Sequence, residues 1–447
     1  MFGLKKDEFG RVTWHVARLG GPIALIYLAN MAMQIVAMVF VGHLGTEQLA
    51  GFAVGNAIFG ATMVTGIGLL LGLDYLAARA FGAGKQDEVN RLLVQAFYYA
   101  AGLSVVITLV MRMASYQFVH MGIAEPVAAF GGEYLRALSW SLAPFLLFTV
   151  FRQYLQSMGL ASPILWVLVV ANIVNFGANA FLVPHPRFGG VAGSGWATVF
   201  ARTFVFVSVA GYALYFSHKK KLGLWKTFRH ASRPSFEILG QLVRLGFPAG
   251  VQFLFEVGVF ATFTLIAGRL GAVPLAAHQI ALQIASVTFM VPLGIASAGA
   301  VRVAQAIGAQ DRRQAMHAGW ISIVLGGVCM IVFGIILLIV PQTLLGFFSA
   351  DPSVRSVGAG LLFITAFFQL FDGVQVVSSG VLRGLGNTRI SMMINLIGHW
   401  GIGLPTGVAL CFWAGWGVYG IWIGLSVGLT LVAVSLAVAW HRLCRVL

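Results

Sequence analysis

LGGPIALIYLANMAMQIVAMVFVGHLGTEQLAG (19–51) and LGFPAGVQFLFEVGVFATFTLIAGRLGAVPLAA (245–277) follow one pattern. Each opens on Leu-Gly-x-Pro, runs through some twenty mostly apolar residues, closes on Gly-x-Leu-Gly and resumes at Leu-Ala. A run of about 20 apolar residues is what a helix needs to cross a hydrocarbon core roughly 30 Å thick. At the same offset of 226, residues 19–84 laid on 245–310 give 16 identities in 66 pairs, among them Ala80-x-Gly82-Ala83 on Ala306-x-Gly308-Ala309. At an offset of 227, Gly190-Val191-x-Gly193 falls on Gly417-Val418-x-Gly420. Apolar sequences share scattered identities by chance, but not coincident Gly/Pro punctuation. The chain reads as a duplicated unit.

Along the whole chain, apolar runs fall near 21–44, 49–77, 92–111, 127–150, 163–183, 190–216, 246–270, 275–300, 319–342, 354–382, 391–412 and 417–440. Twelve spans predict an all-α integral membrane protein. Its two six-helix lobes, 1–216 and 245–447, are joined by a basic cytoplasmic linker, 217–244. An even number of spans per copy gives both copies one orientation, related by a pseudo-two-fold axis along the membrane normal; such repeats suit transporters that bind substrate between two halves. Composition agrees: 59% of the 447 residues are hydrophobic and 9% charged, against roughly 45–50% and 25% in soluble domains. A water-soluble globule is excluded.

The net charge of +15 is explained by topology rather than by a nucleic-acid partner. With both termini inside, inner segments hold 22 Lys/Arg and outer segments four (Arg112, Arg187, Arg269 and Arg355), with Arg136 and Arg202 inside spans. Cytoplasmic loops accumulate basic residues in this way. The linker reads as an orientation anchor touching anionic lipid. Cys329, Cys411 and Cys444 indicate neither a disulfide frame nor a metal cluster. The N-terminus lacks a cleavable signal pattern, so the first run is expected to be retained. No HExxH or paired His/Asp motif occurs in the spans, and an enzyme is not expected.

Charge inside the bilayer is the sharpest functional signal, costing at least ~2.5–3.5 kcal/mol at mid-membrane. Glu256 and Asp372 are deep in their spans and have no Lys or Arg within a turn, so each must be protonated or share its site with a bound cation. That is the chemistry of a coupling site for H⁺ or Na⁺; a protonated acid serving only as an interhelical donor is the structural alternative. Hard cations take several oxygen ligands, which Glu256, Asp372 and the amides of Gln252, Gln283 or Gln369 could supply. Gln375, Asn30 (the repeat partner of Glu256) and His399 are further polar candidates, although a mid-span histidine more often packs neutral in a core. Glu133 and Arg136, three residues apart, read as a local ion pair, and Asp74 as a partner of Arg79. The sequence does not decide Arg202. Phe253, Phe260, Phe289, Met290, Phe368 and Phe371 are candidates for a pocket stacking flat organic cations.

LAAHQIALQIASVTFMVPLGIASAGAVRVAQAIGA (275–309), QLFDGVQVVSSGVLRGLGNTR (369–389), HWGIGLPTG (399–407) and GVYGIWIGLSVG (417–428) resemble the multidrug and toxic compound extrusion (MATE) family, nearer its NorM-type branch, as does essentially the whole chain. The resemblance implies a monomeric antiporter of a bacterial inner membrane. It would export varied, often cationic and aromatic compounds against inward H⁺ or Na⁺, and need no cofactor beyond that ion. The family's second-lobe acids map onto Glu256 and Asp372. Many bacterial relatives also carry an aspartate in the first span, where this chain has Ala37. Sodium-coupled relatives often place a tyrosine one turn before the tenth-span aspartate, where this chain has Phe368, one oxygen ligand fewer. A lipid-linked oligosaccharide flippase of related architecture is the alternative, disfavoured because only Arg136 and Arg202 could meet a pyrophosphate within the spans.

Overall fold

The computed structural model describes residues 6–118, 120, 122–185, 189–230 and 233–446; Lys5 and Arg187, two residues of the charge count, lie outside them. Continuous apolar sequence forms helix here because a backbone in lipid must satisfy its own polar groups. The membrane-length helices are α1 (Lys6–Gly42), α2 (Thr46–Gly82), α3 (Gln86–Ser115), α4 (Glu125–Ser139 with Leu142–Ser157, bent by 43°), α5 (Ser162–Leu182) and α6 (Gly190–Lys219). The second copy supplies α7 (Phe236–Arg269), α8 (Ala272–Gly308), α9 (Arg312–Ile339), α10 (Pro352–Gly384), α11 (Thr388–Trp413) and α12 (Gly417–Arg445). All twelve coincide with the apolar runs and extend several beyond their ends. The linker is largely helical: α6 runs into it, a short helix spans Leu224–His230, and α7 begins at Phe236.

The repeat is visible in the backbone. Gly45 and Gly271, 226 apart, precede α2 and α8 with φ of 120° and 117°, a region that glycine enters at little cost. Gly84 and Gln310, also 226 apart, follow the same helices with φ of 72° and 60°. Helix α11 is irregular, its α-helical turn Leu404–Val408 lying between π-helical stretches at Ile397–Gly403 and Ala409–Trp413. Pro405, within that turn, has no N–H to give to the helical ladder.

The chain forms two compact units, and they do not coincide with the repeats. One comprises Ile26–Gly250; the other comprises Met1–Leu25 with Val251–Leu447. The boundaries fall within three residues of Pro22 and Pro248, in the middle of α1 and α7. The opening segments of these two helices are therefore exchanged. In the unit containing α8, Gly20 of α1 packs against Gly294, Ile295 and Ala298. In the other unit Gly246 of α7 packs against Leu69 of α2, where a Cβ would overlap the Leu69 carbonyl oxygen. Leu69 and Ile295 are themselves repeat partners, so both crossings use one geometry.

Candidate functional site

Both deep acids belong to the unit of Val251–Leu447, and their carboxyls lie within Coulombic range of each other. Glu256 is on α7, and Asp372 is buried on α10. The polar residues of α10 follow a helical stripe, Gln369, Asp372, Gln375, Ser379 and Arg383, whose spacings of three and four keep them on one face. All five are buried.

Glu256 Oε1 accepts two hydrogen bonds, from Gln252 Nε2 on its own helix at 2.9 Å and from Gln375 Nε2 of α10 at 3.1 Å. Gln375 Nε2 also donates to Asn395 Oδ1 of α11 at 2.8 Å, and Asn395 Nδ2 donates to the Ser391 carbonyl at 2.8 Å. Amide orientations follow from such networks. A backbone carbonyl only accepts, so Asn395 must turn its NH₂ to Ser391 and its oxygen to Gln375. Gln375 must then present N–H to Glu256. The direction of the chain is thus fixed at its far end, leaving Oε1 as the acceptor of both bonds.

Asp372 has a different neighbourhood. One turn earlier, Gln369 donates through Nε2 to Thr288 Oγ1 at 2.7 Å, while its amide oxygen is buried with no hydrogen-bond donor. An unfilled acceptor three residues from a buried carboxyl suits a protonated acid or a small cation. Among the described residues, no group of three or more His, Cys, Asp or Glu could hold a metal ion.

Gln252 and Gln375 thus meet Glu256, and Gln369 lies beside Asp372. Gln283 is half-buried on α8 and bonds to neither acid. Asn30 lies in the other unit, its amide donating to the Ile26 carbonyl at 2.8 Å. His399 is buried in the first π-helical stretch, with Nδ1 lacking a partner. Phe368 packs edge-on to Trp422 at 5.9 Å within an apolar cluster that Phe260 and Phe371 also join. Phe371 also faces a groove of about 390 Å³ that includes Trp320 and His441. Phe253, Phe289 and Met290 are half-buried.

Sequence reasoning missed Asn395, Ser379, Thr288 and Arg383. Arg383 was counted with the inner loops; it is buried in α10 and within Coulombic range of Glu256. The stripe spacing held the signal for Ser379 and Arg383. Another buried histidine, His278, is fully bonded: Trp422 Nε1 donates to its Nδ1 at 3.1 Å, so its Nε2 carries the proton toward Thr264 Oγ1 at 3.0 Å.

In the unit of Ile26–Gly250 the expected Glu133–Arg136 pair does not form among the described residues; Arg136 lies over the Tyr116 ring, 5.3 Å from its centroid. Residues three apart face one another only if their rotamers cooperate, and the aromatic face competes for the guanidinium. Arg79 donates to the Tyr75 hydroxyl at 3.3 Å. Arg202 is held between the rings of Phe59 and Phe145, 4.6 and 4.8 Å from their centroids, and donates to Ser141 Oγ at 3.1 Å.

The MatE family model matches this chain twice, over residues 22–181 and 248–409, the two matches beginning on Pro22 and Pro248. The probable multidrug resistance protein NorM of Brucella suis is 33% identical, the alignment covering 98% of this chain and 94% of that protein. The multidrug resistance protein NorM of Burkholderia vietnamiensis is 34% identical, with 95% and 93% covered. Among solved structures, that of the eukaryotic MATE transporter AtDTX14 superposes with a TM-score of 0.86 at 21% identity, covering 98% of each chain. The outward-facing conformation of a multidrug resistance MATE family transporter does so with 0.84 at 18%, covering 97% and 96%. The structural likeness speaks for the twelve-helix fold and the sequence matches for descent; the chain belongs to the MatE family.

Proposed function

We propose that this protein is a proton-coupled antiporter that exports organic, often cationic and aromatic, compounds across a bacterial inner membrane, with both termini cytoplasmic. The observation that carries the reading is the polarised chain from the Ser391 carbonyl through Asn395 and Gln375 to Glu256. It directs amide N–H groups, not amide oxygens, at the carboxylate. A sodium ion needs several oxygens, whereas a proton needs only one. The relatives' names as multidrug resistance proteins support the substrate class, and the 22-to-4 asymmetry of basic residues supports the orientation. Coupling follows if a proton on the Glu256/Asp372 pair and a bound drug favour opposite orientations of the two lobes in alternating access. The flippase reading is weakened because Arg136 and Arg202 are both engaged on aromatic rings.

The test is reconstitution in liposomes with a fluorescent organic cation, imposing a pH gradient and a Na⁺ gradient separately. The pH gradient alone is expected to drive uptake of the dye. Transport driven only by Na⁺ would overturn the proton assignment. Glu256→Gln and Asp372→Asn are each expected to abolish gradient-driven transport while remaining folded in the membrane. Undiminished transport by both variants would sink the coupling site.

A further inference from the structure

The opening segment of α1 carries a basic stripe at Arg11, His15 and Arg18, spaced four and three apart and so on one helical face. The crossing of Gly20 on Gly294 and Ile295 lays this segment along the last turns of α8. Arg302 stands eight residues beyond Gly294, about 12 Å along the helix at about 1.5 Å per residue, level with the stripe. His15 is within Coulombic range of Arg302, Arg18 and Arg11, and Arg302 is within range of Arg18. Among the described residues, His15, Arg18 and Arg302 form no ion pair. The Arg302 Nη1 donates to Gln305 Oε1 at 3.2 Å, while its Nε–H is buried without an acceptor. Alongside, Trp14 is 64% exposed and Phe9 48% exposed, aromatic side chains of the kind that settle at the level of lipid headgroups.

The fold does not require these cations. At the equivalent crossing of α7 on α2, the corresponding positions are Glu237, Gln241, Arg244 and Leu76. Three basic groups brought together at one crossing only, with no ion pair among the described residues to offset them, form a cluster of positive charge that an anion would complete. The end of α1 concerned is the one assigned to the inner face, where anionic lipid is present.

We infer that Arg302, Arg18 and His15 form a binding site for the phosphate of an anionic phospholipid in the inner leaflet. Arg302, half-buried, offers the phosphate the charge and N–H donors of its guanidinium, while its Nε–H stays buried. Arg18 and His15, both exposed, close on the headgroup from α1. Trp14 and Phe9, nearer the cytoplasm on the same helix, flank the headgroup.

The whole protein is titrated with phosphatidylglycerol or phosphatidylcholine in detergent micelles, and bound lipid is counted by native mass spectrometry. Phosphatidylglycerol is expected to bind at least tenfold more tightly. The Arg18→Gln/Arg302→Gln variant is expected to bring that preference within twofold, whereas Lys219→Gln/Lys220→Gln/Lys221→Gln in the linker preserves it. Should the double variant fail to fold, Arg18→Gln alone, at an exposed position, is expected to reduce the preference severalfold. A preference unchanged by Arg18→Gln, or removed only by the linker substitutions, overturns the assignment. So does displacement of the lipid by millimolar inorganic phosphate, which would identify a free phosphate as the ligand. None of these readouts depends on transport.

Discussion

At the scale of single residues, the two deep acids stand out because so little else in the spans is charged, yet their surroundings give them different tasks. Glu256 is met by N–H donors held in direction from Ser391, whereas Asp372 neighbours an unfilled amide oxygen. Asn395→Leu removes the anchor that turns Gln375 toward Glu256. It is expected to slow efflux several-fold and to shift its pH profile; a wild-type profile would show that the anchor is dispensable. Ser391→Ala should leave both unchanged, since Asn395 bonds the backbone carbonyl there rather than the hydroxyl. His278→Leu strands the buried indole N–H of Trp422, costing about 1–3 kcal/mol for an unsatisfied donor. Thermal unfolding should register that loss while ion dependence stays as it was. The acids and Gln252 were legible because intramembrane polarity is costly and therefore conspicuous. Asn395 was not, because its partner lies 20 residues away on another helix and only packing shows that they meet. Arg383 was legible only as an inner-side charge, because a basic residue in the last turn of a span looks like a loop charge until its burial is known.

At the scale of elements, all twelve spans were legible, since apolar length and Gly/Pro punctuation are the properties that make a membrane helix. What they did not reveal is where irregularity falls. The 43° bend inside α4 and the π-helical stretches of α11 lie beside Pro144 and Pro405, yet Pro22, Pro248 and Pro292 sit inside helices that show no such break. The exchanged crossings allow a comparison between repeat partners. At Gly246 an added Cβ meets the Leu69 carbonyl oxygen in an overlap that backbone must relieve, whereas at Gly20 it finds ordinary contacts of 3.4–3.5 Å with Gly294, Ile295 and Ala298. Gly246→Ala should therefore destabilise by at least about 1–3 kcal/mol, the usual cost of overpacking. Gly20→Ala should be neutral or stabilising by up to about 1 kcal/mol, the helix-propensity gain over glycine. Melting temperatures in detergent that moved the same way for both would contradict the observed contacts.

At the scale of the whole molecule, the duplication was legible but its consequence for packing was not. Sequence similarity divides the chain at the linker, while compactness divides it within α1 and α7. Similarity records which segments share an ancestor, and only contacts record which segments cover one another. A fragment ending at Gly250 contains the whole of the unit Ile26–Gly250, whereas one ending at Arg233 lacks the part of α7 that covers Leu69. The longer fragment is expected to resist limited proteolysis in membranes better than the shorter; equal resistance would mean that the exchanged segment adds nothing to its unit. The same exchange bears on synthesis. The opening segment of α1 leaves the ribosome well before the surface it packs on, around Ile295, which is made about 270 residues later, roughly 15–50 s at ordinary elongation rates. Through that interval the segment must wait at the membrane surface without its partner helix, and the unit it belongs to closes only after the whole of the other unit has been made.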